Sequence, residues 1–382
     1  MTCPRPTVGI VGSGQLARMM IQAAISLDIR IVLLASDPHD AAAQVASNVI
    51  VGSPNDPKAL AALTSQCDVI TFDHELVNPD ALAALETAGH RVWPSSSTMA
   101  LAQNKRRQRQ ELSTAGFPTP AFENVECLGD LIAFGERRDW RVVVKASSGG
   151  YDGRGVWMVG DPDEAKAIWD GAETSGTVLV AEERLPLDLE FAVVLARRPS
   201  GEIAVYPPVE TVQRDGICHE LRVPANPGAN LGVYAAEIAR EIATRIGMVG
   251  IMAIEFFVSR NELYVNELAP RPHNSGHWTI EGAETSQFEQ HLRAVLDWPL
   301  GNTDLVSEAI VTLNLIGKDA ANDPRLRLAE GLGASHAHVH LYGKEARPGR
   351  KLGHVTVVDD SIEAAGARAR AVRDALFSAP DR

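Results

Sequence analysis

Two glutamates pose the first chemical question. Glu255 sits in Ile251–Val258, a run apolar on both faces, and Glu267 lies in the next run, Glu262–Leu268. If the two runs form a hairpin turning at Arg260-Asn261, the carboxylates stand opposite each other on one face. Buried carboxylates need compensation, and two unpaired ones repel. A hard divalent cation resolves both problems, and Mg²⁺ bridging to nucleotide phosphates is the usual case. A pair of Arg or Lys partners would do so less economically. Asn266 neighbours Glu267, but strand parity puts it on the other face, away from such a metal.

Lys145 ends a strand-like run, and four glycines fall between Gly149 and Gly155 in the sequence that follows (KASSGGYDGRG). Small residues let backbone N–H groups fold over phosphate oxygens, while the lysine adds positive charge. No Walker A pattern occurs anywhere. The plain alternative, a hairpin turn with a surface lysine, does not explain Tyr151, Asp152 and Arg154 crowded between Gly150, Gly153 and Gly155. Pro270–His277 (PRPHNSGH) places Arg271 and His273 on a rigid loop leaving the hairpin, suited to a carboxylate, bicarbonate or acyl-phosphate; an exposed polar loop is the competing reading. His273 and His277 are also spaced as metal ligands, but in a Gly/Pro context that disfavours a helix. Lys344–Lys351 packs four cations into a candidate phosphate grip or a charged turn. For Glu182-Glu183-Arg184-Leu185 with Glu190, backbone pairing to an adenine edge competes with a solvated acidic turn, which the residues alone favour. Solvation is also the expectation for most of Lys105-Arg106-Arg107-Gln108-Arg109. Gly12–Ala17 fits G-x-G-x-x-A after a strand, with Asp37 closing the next. Nicotinamide or flavin binding, a phosphate-bearing substrate and a plain βα turn stand about even there.

The elements that must position these groups are legible. Over the first ~115 residues, strand-like runs (Thr7–Val11, Arg30–Ala35, Asn48–Val51, Asp68–Phe72, His90–Trp93) alternate with helical patterns such as Gln15–Leu27 and Pro57–Ser65. This predicts a doubly wound, mainly parallel sheet. Gly116–Pro120 reads as a linker. The middle reads as α+β, with strands at Arg141–Ala146, Thr177–Glu183, Leu189–Ala196 and Glu202–Tyr206, a helix at Leu231–Ile246, and the hairpin. Strands at Ala309–Leu315, His336–Tyr342 and His354–Val358 precede a final Ala/Arg-rich helix. At 382 residues two or three domains are expected. A net charge of −13 argues against nucleic acid or an anionic membrane as partner. No apolar run is long enough to span a bilayer. The N-terminal residues read as no secretory signal. The four cysteines lie far apart and form no Cys-x-x-Cys pair, which points to a reduced, cytoplasmic protein.

Three stretches carry a family resemblance: Lys145–Gly155, Asn266–Phe288 and Tyr342–His354. Across nearly the whole chain the sequence resembles the N5-carboxyaminoimidazole ribonucleotide synthases, ATP-grasp ligases of purine biosynthesis. The resemblance implies a Rossmann-like pre-ATP-grasp domain (1–116), an ATP-grasp domain (117–304, with lobes 117–186 and 187–304) and a small β-rich C-terminal domain (305–382). It also implies a homodimer that carboxylates 5-aminoimidazole ribonucleotide with bicarbonate and ATP. By motif, ATP would contact Lys105, Lys145, Gly150–Val156, Glu182, Glu183, Arg184, Leu185, Glu190, Gln213, Asn266 and Glu267. Mg²⁺ would sit on Glu255 and Glu267. Lys145, Arg271 and His273 would act in catalysis, the last two facing bicarbonate and carboxyphosphate. The ribonucleotide would lie between Gly14, Gln15, Leu16, Glu75, Tyr151, Asp152, Arg154, Asn274, Lys344, Arg350 and Lys351. Two departures stand out: Gln103-Asn104-Lys105 replaces the family's Gln-Asp-Arg, losing fork geometry while keeping charge, and Thr71–Leu76 keeps Glu75 but changes its neighbours.

The implied reaction runs through carboxyphosphate, with charge building on γ-phosphate oxygens and the glycine loop excluding water. Three rivals are a formate-dependent glycinamide ribonucleotide transformylase, a Rossmann dehydrogenase and a non-catalytic nucleotide-binding regulator.

Overall fold

The computed structural model describes residues 5–149, 155–333 and 336–377. Three sheets organise them. The first is parallel, in the spatial order Val49–Val51, Arg30–Ala35, Thr7–Val11, Val69–Phe72. Strands Thr7–Val11 and Val69–Phe72 are buried at every position, as strands covered on both faces must be. Helix Gln15–Ser26 packs Leu16, Met19, Met20 and Ala24 against it and reaches Phe288, Leu292 and Val295 of helix Gln287–Val295. The run His90–Trp93 does not form a full strand. Only Val92 bridges to Ile70, and Pro94 and the N-cap Ser95 then lead straight into the helix Ser96–Gln103.

The second sheet is antiparallel, in the order Phe122–Val125, Leu179–Glu183, Val142–Ala146, Val156–Val159. The third has nine strands. From one edge they run Glu262–Ala269, Gly250–Ser259, Leu189–Arg197, Val209–Arg214, Ile217–Val223, Ala309–Ile316, Lys351–Asp359 and Ala337–Leu341, with Ile203–Val205 pairing to Leu189–Arg197. It therefore passes without a break from the glutamate hairpin into the C-terminal strands. The hairpin Val209–Arg214/Ile217–Val223 was not anticipated, because its residues are mixed in polarity. Its turn, Asp215-Gly216, has φ of 50° and 74°, the pairing that tight hairpins favour. Arg260-Asn261, with φ of 52° and 62°, turns the expected hairpin in the same way.

A buried histidine ties the first sheet to the third. Ile251 N–H donates to His291 Nδ1 at 3.0 Å, so Nε2 carries the proton and donates to the Thr71 hydroxyl at 2.7 Å. Burial holds this imidazole down, to about 3, and so neutral.

Candidate active site

A cavity of about 1880 Å³ opens between the three sheets. It is lined by every described residue that the family resemblance assigned to a ligand except Gly155; His277 does not line it. Gly150, Tyr151, Asp152, Gly153 and Arg154 lie outside the described residues.

Glu255 and Glu267 stand opposite each other in the hairpin register. A bulge follows at once, with Phe256 pairing to Val265 and Asn266 left over. Asn266 therefore escapes the alternation expected of an ideal strand, because an extra residue in one strand re-aims the side chains on either side of it. Asn266 Nδ2 donates to Glu255 Oε2 at 3.1 Å, and its Oδ1 accepts from Lys145 Nζ at 3.2 Å. Burial and the facing Glu267 push the Glu255 carboxyl up to about 7. Glu267 faces the same burial, but the Lys105 ammonium hydrogen-bonded to it brings it below its ordinary range.

Lys105 is placed by local structure. Asn104 caps the helix Lys105–Thr114 by accepting from Arg107 N–H at 3.0 Å. The same Oδ1 accepts from the Ser147 hydroxyl, and Lys105 N–H donates to Ser147 O at 2.8 Å. The helix start is thereby docked onto the end of the Lys145 strand. One turn on, Arg109 is buried, contrary to the expected solvation. It grips Glu182 through Nε at 2.7 Å and Nη2 at 3.1 Å, and donates to Val265 O at 3.0 Å. Lys145 Nζ donates to the same carboxylate at 2.8 Å. The solvated-turn reading of Glu182 is thus corrected: the residue is 2% exposed. Burial alone would raise it, but Arg109 and Lys145 outweigh that and hold it at about 2. Burial pulls the Lys145 ammonium below its usual range, against the opposing pull of Glu182. Glu190 is raised by burial.

Arg271 forms a fork on Glu75, Nε to Oε2 at 2.5 Å and Nη2 to Oε1 at 2.9 Å. Against the cost of burial, this holds Glu75 down at about 2. His273 caps a short turn through Ser275, and burial together with Arg271 drives it to about 3, so it is neutral. Asn274 exchanges amide hydrogen bonds with Asn314 at 2.9 and 2.8 Å, tying this loop to the strand Ala309–Ile316. Lys344 donates to Gln15, and the neighbouring Gly343 carbonyl accepts from Gln44 Nε2 at 2.9 Å. Arg350 and Lys351 line the same wall.

Asp73 was not singled out from the sequence. Its Oδ2 accepts from Gly14 N–H at 2.5 Å, and burial pushes the carboxyl up. A Cβ at Gly12, where φ is 104°, would lie 1.7 Å from Asp73 Oδ1. These glycines thus make room for a carboxyl group. The Gly14 N–H that a dinucleotide phosphate would need is already committed, which removes the main support for the dehydrogenase reading.

The fold and this cavity define an ATP-grasp enzyme. Residues 110–288 match the ATP-grasp domain, residues 5–103 the ribonucleotide synthetase preATP-grasp domain, and residues 311–368 the phosphoribosylaminoimidazole carboxylase C-terminal domain. The chain is 44% identical over 365 residues to the N5-carboxyaminoimidazole ribonucleotide synthase of Mycobacterium bovis, covering 94% of this chain and 84% of that one. A carboxyaminoimidazole ribonucleotide synthase from Aspergillus clavatus, solved with ATP, superposes with a TM-score of 0.90 at 32% identity, covering 97% and 98% of the two chains. The enzyme of that organism in complex with ADP and 5-aminoimidazole ribonucleotide gives 0.89 at 31%, with the same coverage. The chain belongs to the N5-carboxyaminoimidazole ribonucleotide synthase family, and is an ATP-dependent ligase forming a C–N bond.

Proposed function

We propose that this protein joins bicarbonate to the exocyclic amine of 5-aminoimidazole ribonucleotide, converting ATP to ADP and phosphate. The observation that carries the reading is the convergence on one cavity of the Glu255/Glu267 pair, Lys145 and the Arg271–Asn274 loop. ATP lies against Lys105, Lys145, the segment Glu182–Leu185, Glu190, Gln213 and Asn266. The ribonucleotide takes the wall built from Gly14, Gln15, Leu16, Glu75, Asn274, Lys344, Arg350 and Lys351. The residues present fit Mg²⁺: two carboxylates face each other, and one is pushed up to about 7 by burial and by its neighbour. Glu255 and Glu267 would hold the ion, which neutralises charge on phosphate oxygens when bound.

Bicarbonate is a poor electrophile. Its oxygen attacks the γ-phosphorus, ADP leaves, and carboxyphosphate results. Lys145 stabilises the charge that gathers on the transferring oxygens. Arg271, held flat by Glu75, presents the N–H groups that Glu75 and Pro272 O leave over to the acyl-phosphate. Neutral His273, with Nδ1 accepting from Ser275 N–H, offers its Nε2–H to bicarbonate and carboxyphosphate, and the proton that the amine releases as it attacks the carboxyl carbon leaves with the departing phosphate.

The three family-matched stretches support the division into 1–116, 117–304 and 305–382. The reading includes a homodimer in the cytoplasm. No helix among the described residues is long and apolar enough to cross a membrane, and sedimentation of the pure protein tests the dimer.

The deciding experiment follows ADP release with each substrate withheld in turn. Release should require bicarbonate and rise with 5-aminoimidazole ribonucleotide. Release sustained by formate and glycinamide ribonucleotide instead, or no ADP under any combination, would overturn the reading.

A further inference from the structure

A second polar cluster lies outside the cavity. Glu281 is in the short helix Thr279–Gly282, which follows the Arg271–Asn274 loop. His340 and His354 face each other on paired strands, with rings stacked at 4.5 Å and 14°. His340 Nε2 lies 2.6 Å from Glu281 Oε1. One ligand-competent atom from each of the three residues falls within 4.8 Å of the others. None of the three lines the cavity.

What sets the cluster apart is its unmet hydrogen bonding. His354 Nε2 and Glu281 Oε2 are both buried without a partner, and His354 is 0% exposed. An unpaired buried polar atom costs about 1–3 kcal/mol, so two at one point call for a shared occupant. The hydrogen bonds around the cluster decide which atoms are available. His354 Nδ1 lies 2.7 Å from the Tyr342 hydroxyl. With Nδ1–H donating there, the Nε2 lone pair is open, the arrangement usual for a metal-bound histidine. Burial holds the His354 imidazole neutral, well below its ordinary range. His277 flanks the site, with its ring 5.1 Å from that of His354, but it is no ligand. The Gln287 amide is oriented by His273 N–H and O, so its Nε2 donates to His277 Nδ1 and leaves the His277 proton on Nε2. A water could give its two protons to these two atoms, an occupant that the metal titration below distinguishes from an ion. A cation satisfies the carboxylate and both imidazoles together.

We propose that Glu281, His340 and His354 form a second cation site, suited to a borderline first-row divalent ion such as Zn²⁺. Two imidazoles, one carboxylate and an open fourth position are a donor set that Zn²⁺ accepts and Mg²⁺ does not favour. The ion takes the place of the proton between His340 and Glu281, which passes through solvent to His340 Nδ1, so the imidazole binds neutral. It would pin the helix after the Arg271–Asn274 loop to the C-terminal strands, and so hold that loop from behind.

The test uses full-length protein stripped with a chelator and then kept in saturating Mg²⁺, so that the Glu255/Glu267 pair is occupied. Titration calorimetry with Zn²⁺ should give one tight equivalent per chain, and Co²⁺ should give the visible bands of a four-coordinate site. Affinity should fall by roughly 100-fold in H340Q and in E281Q, since losing a ligand costs at least as much as losing its outer partner. Both variants alter partly exposed side chains. If one fails to fold, judged by far-UV circular dichroism, the other decides. No tight equivalent in the wild type, or one that survives in the folded variants, would overturn the proposal.

Discussion

Two groups of carboxylates border the same cavity, one buried and one half-buried, and their neighbours give them opposite characters. Glu182 is saturated: Arg109 forks onto it, Lys145 adds a third bond, and its pKa is held at about 2. Glu255 and Glu267 face each other with Lys105 as the nearest cation, and Glu255 is pushed up to about 7. The first group is a finished structural joint between helix Lys105–Thr114 and the two antiparallel sheets. The second is electrostatically incomplete. A buried acid does not mark a ligand site by itself; an uncompensated pair does.

The contrast gives a graded set of expectations. The largest concerns E267Q and E255Q. Each should lower ATP turnover by about 10³-fold, the scale of losing a main stabiliser of transferring charge. In metal-free buffer E255Q should unfold at the same temperature as the wild type or higher, because a like-charge contact is relieved. Near-normal ADP release by either variant would break the contrast. Glu182→Ala should do the reverse where stability is concerned. It leaves Arg109 and Lys145 facing each other without a counter-ion, at a cost of about 3–5 kcal/mol in urea denaturation. A loss under about 1 kcal/mol would show that the joint is not what fixes the two cations.

pH should separate the groups next. Glu255 is raised, so its folded form favours the proton. Its contribution to stability is complete below the ordinary carboxylate range and is lost as pH climbs through about 7. Mg²⁺ competes with that proton, so its affinity should improve from pH 6 to pH 8 and level off above, as read by calorimetry. Glu182 is depressed, so its contribution persists through this window and fades only as pH falls toward about 2. A flat Mg²⁺ profile would count against the assignment of Glu255. The smallest effect is expected for K105R, which restores a fork without changing charge. The KM for ATP should move by roughly two- to threefold, or about 0.5 kcal/mol.

The hairpin was legible because a long apolar run, an Arg-Asn turn and a second run leave one register. Asn266 was not, since a bulge has no signature in residue types alone. Arg109 was hidden for a different reason. Its helix begins Lys-Arg-Arg-Gln-Arg, with no apolar stripe to separate inside from outside, and its partner Glu182 is 73 residues away. Composition reports charge, and only the tertiary fold reports where that charge is neutralised. The Val209–Val223 hairpin had one usable signal, the Asp-Gly turn. Asp73 had none apart from its neighbour Glu75. The glycine fingerprint left dinucleotide, phosphate-bearing substrate and plain turn about even, and what lies close to the glycines is a side chain of the same protein.

The unbroken large sheet has a consequence for any shortened form of this protein. Residues Glu220–Val223 pair with Ile310–Leu313. A chain ending near residue 304 would leave that row of amide and carbonyl groups bare beside Leu221 and Val223, an adhesive margin able to recruit other polypeptides. Such fragments should precipitate rather than persist as small, working ligases, even with every nucleotide contact proposed from residues 105 to 267 intact.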